Sequence, residues 1–149
     1  MDKHEQKALD NIEKYGCHIL HIFAEDDLPR FTYSVGIQHK TEHPDLVIMG
    51  LKQNLAHWII NEYNTRINAG EIFELDQYYS GFLGGGFEIT FKKVAPEHYP
   101  EYFGWNIWYN KGSDFDIWQL VFPTVEGIWP WDEEASTEFK QYQPMLYKT

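Results

Sequence analysis

Apolar positions along this chain recur with two different periods, and the switches between them outline its elements. In residues 2–15, Ala8, Ile12 and Tyr15 recur at roughly helical spacing and Gly16 supplies a stop, so a first helix is expected there. Residues 17–24 hold Ile19, Leu20, Ile22 and Phe23 in one short run. Apolar residues on both faces predict an interior strand. Residues 25–29 form a turn of charges closed by Pro29. From 30 to 37 the pattern alternates: Phe31, Tyr33, Val35 and Ile37 share one face, Thr32 and Ser34 the other. Gly36 marks the strand's end or a bulge. Residues 38–44 are polar and read as a loop.

The unbroken run Leu46, Val47, Ile48, Met49 predicts a central strand buried on both faces. Residues 53–69 make the clearest helix. Leu55, Ile59 and Tyr63 form an i, i+4 ladder, Ala56 and Ile60 lie beside it, and Gly70 ends it. Residues 71–83 are aromatic and irregular, and Gly84, Gly85 and Gly86 form a flexible joint. Phe87, Ile89 and Phe91 then alternate with polar residues as a half-exposed strand. A helix over 96–110 is weakened by Pro100 and Gly104. A last strand over 116–122 is stopped by Pro123, and the tail from Thr124 is rich in turns, acids and aromatics. The order α β β β α β α β predicts an α+β fold. It is a single domain over 1–149, with a mixed, mostly antiparallel sheet of about five strands and helices packed on one face.

Composition narrows the function classes. Twelve Lys and Arg against 23 Asp and Glu give a net charge of −11, opposite to the basic footprint of a nucleic-acid binder. Cys17 is the single cysteine, which excludes an internal disulfide framework and fits a reducing compartment. No apolar run reaches the roughly 18 residues of a membrane span, and the polar start lacks the apolar core of a signal peptide. The expected setting is the cytoplasm.

Motif chemistry is sparse. His18 and His21 lie three apart in an expected strand and so point to opposite faces, unsuited to chelating one ion. His39 and His43 are four apart, but Pro44 keeps His43 out of the α region. His57 sits on the long helix as a surface or boundary residue. No Cys-x-x-Cys or His-Glu-x-x-His spacing is present, so neither a metal nor another cofactor is expected. Cys17 reads as a small buried hydrophobe rather than a nucleophile. The glycines at 81 and 84–86 lack the Lys-Ser/Thr of a phosphate loop and precede a strand rather than a helix. Asp114 and Asp116 read as a solvated edge. The acidic, aromatic end carries more. Trp105, Trp108, Trp118, Trp129 and Trp131 fall in the last 45 residues, with Asp132, Glu133, Glu134 and Glu138 among them. Aromatics ringed by acids suit an interface that selects a basic partner; the alternative is that Trp129 and Trp131 fold back over one end of the sheet.

Three segments together carry a resemblance: Phe31-Thr32-Tyr33-Ser34-Val35-Gly36-Ile37, then His43-Pro44-Asp45-Leu46, then Trp118-Gln119-Leu120-Val121-Phe122-Pro123 followed by Gly127-Ile128-Trp129-Pro130-Trp131. In this order they resemble a widespread bacterial family known only as a domain of unknown function, of the four-thousands series. Thr124 stands where that family often has Asp. The resemblance implies a single α+β domain and a bacterial or phage source. It supplies no activity beyond a general association of such proteins with toxin neutralisation.

The segments also suggest a polar group that could converge. Tyr33 and Ser34 come from the second strand, His43 and Asp45 from the loop, Gln119 from the last strand, and Trp131 could close over them. The same side chains have a bland role, stapling the loop by capping backbone groups. The leading expectation is a non-catalytic acidic interaction protein, antitoxin-like, that neutralises a basic toxin domain through Trp129, Trp131, Glu133 and Glu134. The alternatives are a small-molecule binder or enzyme using Tyr33, Ser34, His43, Asp45 and Gln119, or a scaffold subunit associating through its aromatic end.

Overall fold

The computed structural model describes residues 1–26 and 28–147. Helix α1 (Lys3–Tyr15) opens on a reciprocal cap. The Glu5 backbone N–H donates to Asp2 Oδ1 at 2.8 Å, and the Asp2 backbone N–H donates to Glu5 Oε1 at 3.1 Å. Strands β1 (His18–Ile22), β2 (Phe31–Val35) and β3 (Asp45–Met49) form an antiparallel meander, interrupted by the short helix α2 (Ile37–Thr41). The long helix α3 (Gln53–Asn68), the two-residue strand β4 (Tyr78–Tyr79) and β5 (Ile89–Lys93) follow. Helices α4 (Tyr99–Tyr102) and α5 (Gly104–Asn110), strand β6 (Ile117–Val121) and helix α6 (Thr137–Tyr142) complete the described chain.

The sheet has six strands in the order β1-β2-β3-β6-β5-β4, antiparallel throughout except where β3 and β6 run parallel at its centre. This is the expected mixed, mostly antiparallel α+β sheet, with β4 as a strand too short for alternation to reveal. Leu46 to Met49 are fully buried in β3, between β2 and β6. Side chains of β3 alternate between two cores. Leu46 and Ile48 pack with Ile59, Ile60 and Tyr63 of α3. Val47 and Met49 pack with Ile12 of α1 and with Tyr99 and Phe103 around α4. Helices therefore cover both faces of the sheet rather than one, which is why a central strand can be apolar at every position.

Three further expectations are corrected. The strand over 17–24 lies at a sheet edge, not inside: β1 is half-buried, and Phe23 beyond it is exposed. The loop over 38–44 contains α2. It starts at Gly36, whose φ of +101° and 2.8 Å approach of a Cβ position to Ile12 Cγ1 admit only glycine without strain. The helix over 96–110 breaks at Phe103, where φ −123°, ψ 44° separates α4 from α5 just before Gly104.

Candidate functional site

Residues of the first two family-like segments meet at the junction of β2, α2 and β3. Asp45 begins β3, and its carboxylate turns toward the start of α2. Oδ1 accepts from Ser34 Oγ at 2.7 Å and from the Ile37 backbone N–H at 2.9 Å, while Oδ2 lies 3.5 Å from the Gln38 backbone N. Ser34 Oγ in turn accepts from the Leu46 backbone N–H at 3.0 Å. The Ser34 carbonyl accepts from Asn106 Nδ2 at 3.0 Å, and the Pro44 carbonyl from Tyr63 Oη at 2.8 Å. These bonds tie β2, α2, β3, α3 and α5 around one carboxylate. Burial pushes the Asp45 carboxyl up to about 6, against the pull of its bonds from Ser34, Ile37, Gln38 and Gly36. Burial, with the Asp45 charge adding to it, also pushes the neighbouring Cys17 thiol up to about 12, so at neutral pH it is neither thiolate nor nucleophile.

The five polar residues do not assemble into an open pocket. Tyr33, Ser34, Asp45 and Gln119 are 2%, 0%, 1% and 0% exposed, which leaves no surface for a ligand to reach. Tyr33 stacks on Phe31 at 5.9 Å and meets Phe103 edge-on at 5.3 Å. Gln119 turns to the C-terminal segment: its Nε2 donates to the Pro144 carbonyl and its Oε1 accepts from the Leu146 N–H, both at 2.9 Å. Gln143 clamps the same segment by a two-way bond with the Phe122 backbone. The half-buried His43 uses its backbone N–H on Thr41 Oγ1, and among the described residues its imidazole joins neither Ser34 nor Asp45. His39 lies edge-on to Tyr109 instead. The stapling role is the one these bonds perform.

The tryptophans separate into three places. Trp118 packs against Phe91 in the α3-side core. Trp105 and Trp108 meet edge-on at 5.4 Å, beside Asp2 and Glu5 of the α1 cap. Trp129 and Trp131 stack in parallel at 5.2 Å with their planes 5° apart. Tyr78 of β4 meets Trp129 edge-on at 5.3 Å, and Lys92 Nζ of β5 sits 4.9 Å over the Trp131 ring. Lys92 is also paired with Asp76, and the Trp129 backbone N–H is held by Asp132 Oδ2 at 2.8 Å. The pair thus folds back over the β4–β5 end of the sheet while leaving an outer face: Trp131 is 37% exposed, and Glu133 and Glu134 beside it are exposed. Trp131 does not lie over the Asp45 group.

One pair was missed from sequence. His21 Nε2 of β1 lies 3.0 Å from His57 Nδ1 of α3, with ring centroids 5.2 Å apart and planes 25° apart, so the rings meet nearly in line rather than face to face. His21 Nδ1 lies 3.1 Å from the buried Thr32 Oγ1. Burial, and secondarily the charge of His57, lower the His21 pKa. The residues are 36 apart in sequence, so no spacing rule joins them. His18 turns instead to Asn11, as the opposite-face argument requires. Among the described residues no group of three or more His, Cys, Asp or Glu gathers for a metal, and no helix is long and apolar enough to cross a membrane.

A family model described as a domain of unknown function, DUF4262, matches residues 11–136. No curated protein and no solved structure matches the chain.

Proposed function

The chain belongs to the DUF4262 family of domains of unknown function, and on that premise we propose that it is a non-catalytic acidic interaction protein that binds a basic protein partner. The observation that carries this reading is the outer face of the Trp129–Trp131 stack. It is a rigid aromatic anchor, held from below by Tyr78 and Lys92 and flanked by the exposed Glu133 and Glu134, on a chain of net charge −11. Pre-ordered aromatic rings lose little entropy on docking, and acids around them select and steer a positive surface. The burial of Ser34, Asp45 and Gln119 and the raised Cys17 pKa favour this reading over catalysis at the polar group. A basic toxin domain whose active surface would be covered is the partner class that fits best, which would make the chain an antitoxin-like protein of the cytoplasm.

The test is kinetic. A basic partner recovered with the chain should associate more slowly as salt rises, while its dissociation changes much less. Trp131→Ala should speed dissociation, and Glu133→Lys with Glu134→Lys should slow association. Wild-type rates in all these variants would remove this face from the interface.

A second reading, a small-molecule binder, is favoured by a different feature from the polar group first expected. An apolar cavity of about 370 Å³ lies among Leu51, Leu83, Phe87, Phe122, Phe139 and Tyr142. Saturable binding of an apolar dye, lost in Phe122→Asp, would support it.

A further inference from the structure

We propose that His21 and His57 form a two-histidine site for one divalent transition-metal ion of tetragonal or octahedral preference, Cu²⁺ or Ni²⁺, independent of the aromatic face. The two nitrogens that face each other, His21 Nε2 and His57 Nδ1, are already 3.0 Å apart. The ring centroids are 5.2 Å apart, so the rings meet nearly in line and their lone-pair axes run along the N···N line; an ion takes both nitrogens once His57 swings off that line. Two imidazole nitrogens completed by amide and water oxygens make the N,O donor set of tetragonal Cu²⁺ and Ni²⁺ sites.

The surroundings prepare the pair for this role. A metal on His21 Nε2 requires the ring proton on Nδ1, and Nδ1 faces the buried hydroxyl of Thr32 at 3.1 Å. This is the outer hydrogen bond that fixes tautomer and orientation in ligating histidines. With the His21 proton on Nδ1 and no ion bound, the His57 Nδ1 proton bridges to His21 Nε2. When an ion replaces it, that proton moves to His57 Nε2, both rings stay neutral, and two lone pairs face the ion. His57 is on the exposed face of α3, so its ring is free to swing off the N···N line. The pair opens on a cavity of about 450 Å³ whose other lining residues are Gln53 and Asn54, one turn before His57 on α3. Their amide oxygens and water would fill the remaining positions. The bound ion would link the edge strand β1 to α3.

The test uses tag-free protein, stripped with chelator and titrated with Cu²⁺ or Ni²⁺ in a non-coordinating buffer. The expected result is one ion per chain, a raised melting temperature, and a Cu²⁺ paramagnetic spectrum split by two nitrogens. His57→Ala removes an exposed ring, so the fold should persist while affinity falls at least 10-fold. Thr32→Val, which deletes only the outer partner, should weaken binding about 10-fold. His98→Ala should change nothing. Absence of saturable binding, or one-to-one binding that survives in His57→Ala, would overturn the assignment.

Discussion

Replacing Asp45 by Asn isolates the effect of one buried charge on the fold. The carboxyl titrates at about 6 in the folded protein against about 3.8 when exposed. A difference of about two pH units, at about 1.4 kcal/mol each, means that ionisation of Asp45 costs the fold about 3 kcal/mol at neutral pH. The sign follows from proton counting. Between pH 4 and 6 the folded state holds a proton there that the unfolded state has released, so stability falls as pH rises through this window. Below pH 4 both states are protonated and the full stabilisation is present; above pH 6 it is gone. The amide of the Asp45→Asn variant keeps an acceptor oxygen for Ser34 Oγ and the Ile37 N–H but cannot ionise. Urea unfolding of both proteins from pH 4 to pH 7 should therefore give a stability difference that moves by about 3 kcal/mol in favour of the variant as pH rises. The other acids titrate alike in both and cancel. Parallel pH profiles would refute the reasoning. So would the opposite slope, which would mean that the bonds from Ser34, Ile37 and Gln38 outweigh desolvation and hold the carboxylate ionised.

Ile48→Ala, in the fully buried centre of β3, should lose about 2–5 kcal/mol in the same urea assay; a loss under about 1 kcal/mol would contradict close packing on that face. Gln119→Leu leaves the Leu146 N–H and the Pro144 carbonyl without their partner, at about 1–3 kcal/mol each, and should bring protease cleavage near residue 145. Gly50→Ala places a Cβ 2.4 Å from the Tyr142 carbonyl oxygen at φ +85°. Amide exchange in α6 should accelerate before that of α3, and unchanged protection of α6 would contradict the contact.

The elements legible in the sequence are those whose residues carry their own reason. The Leu46–Met49 run could only be a strand covered on both sides, and the Leu55, Ile59, Tyr63 ladder only a helix against a core. The same double coverage argued against helices on one face alone, an inference the run already contained. What was not legible depends on partners distant in sequence. Helix α2 is organised by a carboxylate eight residues beyond its start, and no local pattern at 38–44 announces it. β1 carries a run like that of an interior strand, but one of its sides faces solvent, which periodicity cannot register. Of the candidate site residues, the types were rightly singled out as costly to bury. Their direction was not readable: Ser34, Asp45 and Gln119 point inward to backbone partners, while the Trp131 neighbourhood reaches solvent. The His21–His57 pair exists because β1 and α3 pack together, a fact of tertiary structure alone.

The parallel pairing at the middle of the sheet also sets a clock for synthesis. Asp45 pairs with Ile117 and Ile48 with Leu120, so the partner strand of β3 is translated 72 residues after it. At about 5–20 residues per second, the ribosome takes roughly 4–14 s to supply it. Throughout that interval β1, β2 and β3 can already pair by local hairpins, and the most apolar strand in the protein stands at the open edge of a half-built sheet. That nascent meander, rather than the finished molecule, is the form of this chain most in need of a chaperone.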